Sequence, residues 1–98
     1  MKRSKIIDNI TLSGSTQESS VFQFYSNQFS YQLDYTGTSL SLKVLTSVDG
    51  VNFVENTDLS SAITANSTEQ TRVQNVVKGE FAKIEFIGDG VLTVTLLR

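Results

Sequence analysis

The side chains that could do chemistry gather in one ten-residue window, where Asp49, Asn52, Glu55, Asn56 and Asp58 place five oxygen-bearing groups. Calcium takes such ligands from loops. The spacing is not that of an EF-hand, and Asp and Asn recur in turns because their side chains bond their own backbone. The expectation is turn chemistry and no metal. Cys and His are both absent. That removes disulfides, thiol catalysis and thiolate zinc, together with the commonest general base and metal ligand. Nucleophilic chemistry is left with a Ser–Lys arrangement, and Ser41 and Lys43 lie two apart, on one face if they share a strand. A solvated strand face accounts for that pair. Asp34, Glu80 and Glu85 are single acids, not the facing carboxylates of a glycosidase. Gly88-Asp89-Gly90 leads from strand to strand, so it offers no helix N-terminus to an anion. The expectation is a non-enzymatic protein with no cofactor.

Bulk properties narrow the classes further. The 98 residues carry a net charge of −2. They suit a single domain spanning residues 1–98 with one core. The pI near 4.9 argues against a nucleic-acid binder, which would carry a basic stripe. Lys2, Arg3 and Lys5 read as a solvated terminus. No apolar run approaches the ~18 residues that span a bilayer, and no signal-peptide h-region is expected.

The elements that would position any site read as strands. Ser and Thr make up about a quarter of the chain, and apolar residues recur at period two. Lys5 to Thr11 is a first strand, followed by a loop from Ser13 to Ser20. Val21 to Tyr25 turns Phe22 and Phe24 inward and leaves Tyr25 outside. Phe29, Tyr31, Leu33 and Tyr35 share a face, as do Leu40, Leu42 and Val44. Asp49-Gly50 predicts a tight hairpin, both central residues with φ > 0, running into a strand from Val51 to Val54. The polar stretch from Asn56 to Gln70, with Leu59, Ala62 and Ile63, predicts a short helical turn, and Thr71 to Val77 resumes extended structure. Ala82, Ile84 and Phe86, then Leu92, Val94 and Leu96, give two final inward faces joined by the Gly88–Gly90 turn. About eight strands at this spacing predict an all-β fold, an antiparallel β-sandwich or jelly roll.

Two strands are apolar on both faces. Val91 and Leu97 lie opposite Leu92, Val94 and Leu96, and Ile7 lies opposite Ile6 and Ile10. Burial against another subunit would cover the outer set. Ile7, Val91 and Leu97 are therefore candidate interface residues, and self-association or docking to a partner is expected.

Two family resemblances rest on specific motifs. An apolar strand, then Ser47-Val48-Asp49-Gly50-Val51-Asn52-Phe53, a polar stretch, and Phe81-Ala82-Lys83-Ile84-Glu85-Phe86-Ile87 before a glycine turn and a final Leu-Thr-Val-Thr-Leu strand, resembles small β-sandwich virion proteins of tailed and related bacteriophages. It covers about Phe29 to Arg98. The resemblance implies a capsid-decorating, fibre or tail-associated structural protein, assembled in the host cytoplasm and residing in the virion. Its partners would be its own copies and other virion proteins, with neither nucleic acid nor membrane as the primary partner. The same hairpin and Phe81-Ala82-Lys83-Ile84-Glu85 are similar to discoidin-type modules, from which the chain departs in length and in lacking their Trp and Cys. That second resemblance implies an alternative, a small carbohydrate-binding module using Tyr25, Asp49 and Asn52 toward a glycan.

Overall fold

The apolar alternations become the two inner faces of one core. The computed structural model describes residues 3–63, 66–70 and 74–98. Its strands are β1 (Arg3–Thr11), β2 (Gln17–Glu18), β3 (Phe22–Gln23), β4 (Gln28–Thr36), β5 (Leu40–Ser47), β6 (Val54–Ile63), β7 (Ser67–Gln70), β8 (Gln74–Asn75), β9 (Phe81–Gly88) and β10 (Val91–Leu97). One antiparallel sheet runs β1-β10-β4, with β7 and β8 sharing the far edge of β4. The other has β2 and β3 sharing one edge of β9, followed by β5 and β6.

Counting β2 with β3 and β7 with β8 as interrupted strands leaves eight rows. In chain order the first sheet runs first, eighth, third, sixth, and the second runs second, seventh, fourth, fifth. That is the jelly-roll arrangement, in which two Greek keys wrap an antiparallel sandwich.

Between the sheets, Phe29, Tyr31, Leu33 and Tyr35 face Leu40, Leu42, Val44, Ala82, Ile84 and Phe86, with Leu92, Val94 and Leu96 beside them, all buried. The period-two reading of these four strands therefore holds. Phe24 and Phe29 pack edge-on at 4.9 Å and Phe22 lies 6.1 Å from Phe29, closing one end of the core with rings.

β1 departs from its predicted faces. Ile7 is 3% exposed and belongs to the core, whereas Ile10 is 38% exposed. Two register shifts against β10, between Lys5 and Ile7 and between Ile7 and Ile10, break the alternation. At the second, Asn9 takes φ = 53°, a left-handed conformation that Asn tolerates, and its amide donates to Thr93 Oγ1 at 2.9 Å. Each bulge swaps the face of the residues beyond it, so Ile7 is a core residue and not an interface residue.

The stretch from Asn56 to Gln70 corrects the helical reading. β6 covers Val54–Ile63 and β7 covers Ser67–Gln70. The open edge of β5 offers backbone partners, and Ser and Thr suit a strand. Ser60 Oγ bridges the irregularity, accepting from the Val44 amide (3.2 Å) and donating to the Asn56 carbonyl (3.0 Å). The expected extension from Thr71 to Val77 falls partly outside the described residues; within them, β8 lies at Gln74–Asn75.

Candidate functional site

The window that carried the oxygen-rich side chains folds into a loop that satisfies itself. Ser47 Oγ accepts from the Asp49 and Gly50 amides at 3.2 and 3.0 Å and donates to Asp49 Oδ1 at 2.7 Å. Asp49 Oδ1 also accepts from the Val51 and Asn52 amides, each at 2.8 Å, and Oδ2 accepts from Asn52 Nδ2 at 3.0 Å. These bonds, the Asn52 amide's first and the Ser47 hydroxyl's next, hold the Asp49 carboxyl well below the usual carboxylate range. Only Gly50 takes the left-handed conformation (φ = 77°). The connection from Ser47 to Phe53 is a wide loop rather than the predicted two-residue hairpin, and β6 begins at Val54, not Val51.

This geometry tells against the oxygen cluster as a metal site. Both Asp49 oxygens are occupied by loop donors, Asn52 is bound to Asp49, and Glu55 lies 4.0 Å from Lys43 Nζ. Among the described residues, no group of three or more acids is placed to hold a metal ion. The side chain of Asp58 lies outside the described set.

Beside this loop lies a cleft. Phe22 and Phe24 point into the core and Tyr25 stays 47% exposed, as the alternation predicts. Arg98, following β10, lays its guanidinium over the Tyr25 ring at 4.5 Å and the Phe22 ring at 5.4 Å, and donates to the Gln23 carbonyl at 2.9 Å. Ile6, Ser20, Val21, Phe22, Gln23, Tyr25, Phe81 and Arg98 line a cavity of about 330 Å³. A second hollow of about 250 Å³ shares Ile6 and Ser20 and continues toward Ile10 between β1 and β2. Phe81 connects the cleft to the Asp49 loop, since a Cβ on Gly50 would sit 3.3 Å from its ring. Predicted residues Tyr25, Asp49 and Asn52 therefore occupy one end of the sandwich.

The opposite end is built on Asp89. Its Oδ1 accepts from the Thr38 amide at 2.7 Å and the Ser39 amide at 3.3 Å, and its Oδ2 accepts from the Thr38 hydroxyl. The Tyr35 hydroxyl accepts from the Ser39 amide (2.9 Å) and lies within donating distance of Asp89 Oδ1 (2.8 Å) and the Ser39 carbonyl (2.6 Å). The Thr38 side chain foremost, then its amide and Tyr35, hold Asp89 well below the usual range. Burial, then the hydrogen bond to Asp89, pushes the Tyr35 phenol up. Sequence reasoning placed Tyr35 in the core and Asp89 in a turn but did not join them, because their donors and acceptors lie about fifty positions apart. Arg98 and Phe81 were missed as cleft residues for the same reason.

The remaining predicted residues are dispersed. Val91 and Leu97 are half-buried on β10, whose outward neighbours Thr93 and Thr95 make that face largely polar. Lys43 pairs with Glu55 on the outer face of the second sheet, where Lys83 bonds Glu18 at 3.0 Å and covers the Phe53 ring at 4.7 Å.

No protein-family model and no curated protein matches the sequence. In structure the chain is similar to a mutant of a family 29 carbohydrate-binding module, at TM-score 0.45 and 12% identity, over 100% of this chain and 92% of that one. It is also similar to a chain in the structure of infectious bursal disease virus Gx strain, at TM-score 0.45 and 11% identity, over 97% of this chain but only 30% of the viral one.

Proposed function

We propose that this chain is a non-enzymatic structural protein of a bacteriophage virion, which docks on its own copies or on other virion proteins through one end of its jelly roll. One observation carries the docking reading. Of the eight exposed large hydrophobic residues among those described, six (Val21, Tyr25, Val48, Val51, Val54 and Val77) cluster around the Phe81 end. Val48 and Val51 are 84% and 78% exposed. Apolar side chains grouped in this way mark interaction surfaces. The virion assignment rests on the motif order from Phe29 to Arg98.

Docking by loops fits better than pairing through β1. The two bulges and the left-handed Asn9 twist that edge away from regular strand addition. The test is analytical ultracentrifugation at micromolar concentration, with co-sedimentation against purified virion components. Wild type is expected to associate, and the doubly substituted Val48→Glu, Val51→Glu protein is expected to stay folded and dissociate. A wild-type protein that remains strictly monomeric and binds no virion component would overturn the proposal.

A second reading keeps a specific observation, the exposed Tyr25 at a cleft of about 330 Å³. In it the chain is a small glycan-binding module. A glycan array on which binding disappears with Tyr25→Ala would favour it, and a silent array would remove it.

A further inference from the structure

The outer face of the first sheet holds a hollow of about 340 Å³ that shares no lining residue with the Tyr25 cleft. Arg3 of β1, Thr95 and Leu97 of β10, and Ser30 and Gln32 of β4 line it. The register places Leu97 between Arg3 and Ser30, and Thr95 beside Gln32. Tyr31 and Leu96 also border it, but their side chains are buried in the core. Ser30 is the anomaly. It shares the outward parity of the exposed Gln32, yet it is only 3% exposed. Its hydroxyl has no hydrogen bond among the described residues. That hydroxyl is not one of the fully enclosed, unpartnered atoms, so it keeps access to the hollow it borders. A nearly buried hydroxyl without a partner calls for an explanation. The side chains of Arg3, Gln32 and Thr95 likewise hold no hydrogen bond or ion pair among the described residues.

The geometry points to a carbohydrate site. The hollow receives a short glycan segment, whose hydroxyls bond Ser30, Gln32 and Thr95 and whose C–H surface lies on Leu97, with Arg3 donating at one end. This site is separate from the docking surface and from the Tyr25 cleft. Other ligand classes fit the hollow less well. β10 is paired on both sides by β1 and β4, and Gln32 is paired on both sides by Thr95 and Gln70. An extended peptide therefore has no free strand edge to join here. A polyanion would need more than the single cation in the lining, and the lining offers no exposed ring on which a base could stack. An apolar ligand would leave two hydroxyls and a carboxamide without partners. A ligand rich in hydroxyls and poor in charge meets these conditions. Hydroxyl and carboxamide groups both donate and accept, so they pair with sugar hydroxyls in either sense. Ser30 and Gln32 are spaced about 7 Å along one strand, and Thr95 lies about 5 Å away on the next, a grid that follows a ligand bearing hydroxyls along its length.

The probe is an array of neutral and uronate-bearing glycans screened against the full chain, followed by titration of the best binder into isotopically labelled protein. Amide resonances of Ser30, Gln32, Thr95 and Leu97 are expected to shift, and those of Tyr25 and Phe81 to stay in place. Affinity is expected to fall about three- to tenfold with Gln32→Ala and by a similar factor with Thr95→Val, each the loss of one hydrogen bond. Thr95→Val keeps the side-chain shape and the strand preference, so its effect is read on a folded protein. Tyr25→Ala is expected to leave binding unchanged. A silent array would overturn the proposal, as would unchanged affinity in the doubly substituted Gln32→Ala, Thr95→Val protein. Binding that disappears with Tyr25→Ala and survives the double substitution would overturn it and assign the glycan to the Tyr25 cleft instead.

Discussion

Each end of this jelly roll is fastened by an aspartate, and the two fastenings differ in reach. Asp49 collects donors only from Ser47, Val51 and Asn52, within its own loop. Asp89 takes donors from Thr38, Ser39 and Tyr35, in a different connection. The first shapes one loop, and the second ties the β9–β10 connection to the β4–β5 connection, both of which cross between the two sheets. The surroundings differ accordingly. Six of the exposed large hydrophobic residues among those described lie at the Asp49 end, and two, Ile10 and Ile87, lie on strands toward the Asp89 end. A loop that satisfies its own polar groups leaves its apolar side chains available for a partner, whereas a cross-tied end is occupied with holding the sandwich together.

Glycine substitution separates the ends most sharply. Gly90 has φ = 81°, and a Cβ there would overlap the Thr36 carbonyl. Gly90→Ala is expected to cost about 3 kcal/mol or more in urea unfolding, combining left-handed strain with backbone displacement. Gly50 has a similar φ of 77° but only the Phe81 ring nearby, at 3.3 Å, and Gly50→Ala should cost about 1 kcal/mol. Equal losses would break the comparison. Next in size is Tyr35→Phe, which leaves Asp89 and Ser39 short of a partner and is expected to cost about 1–2 kcal/mol, again at the Asp89 end.

Acid titration gives a smaller and more selective contrast. Both carboxyls have folded-state pKa values depressed below the ordinary one. Their contribution to stability is therefore complete above the unfolded value near 3.9 and drains away as the pH falls below it toward the depressed value. The melting-temperature gap between wild type and Asp89→Asn should narrow below about pH 4, and the corresponding gap for Asp49→Asn should be smaller at every pH. In amide exchange, Asp49→Asn should expose Val51 and Asn52 alone, whereas Asp89→Asn should also loosen Thr38 and Ser39. The smallest effect on stability is expected from Val48→Glu and Val51→Glu, within about 0.5 kcal/mol each by thermal melting, even as association is lost.

The same difference in reach explains what could be read from the sequence. Every inward residue of β4, of β9 and of β10, and Leu40, Leu42 and Val44 of β5, was legible, because a regular strand repeats its burial every second residue. The Ser47–Asn52 turn was legible as a loop because its partners lie within three positions. Its backbone geometry was not, since Asp49 can satisfy the loop without a left-handed φ. Ile7 was misplaced because a bulge leaves no mark in the alternation itself. The helical reading of Leu59, Ala62 and Ile63 failed because the open edge of β5, not local preference, decides that segment. The Asp89 tie and the Arg98 cleft join residues roughly fifty and seventy-five positions apart, which no local pattern encodes.

The place of β10 in the first sheet has a consequence in time. β10 pairs with β1 on one side and β4 on the other, so the last strand of the fold to be made is an interior member of its sheet. On the ribosome, β1 and β4 wait with unpaired facing edges until Leu97 has been synthesised and released from the tunnel. The sandwich therefore closes after translation of its final strand rather than row by row. Such long-range closure folds slowly, on the order of milliseconds to seconds. A truncation within β10 would leave both halves of the first sheet as open edges, and its outcome is better pictured as a failure to assemble than as a loss of a few contacts.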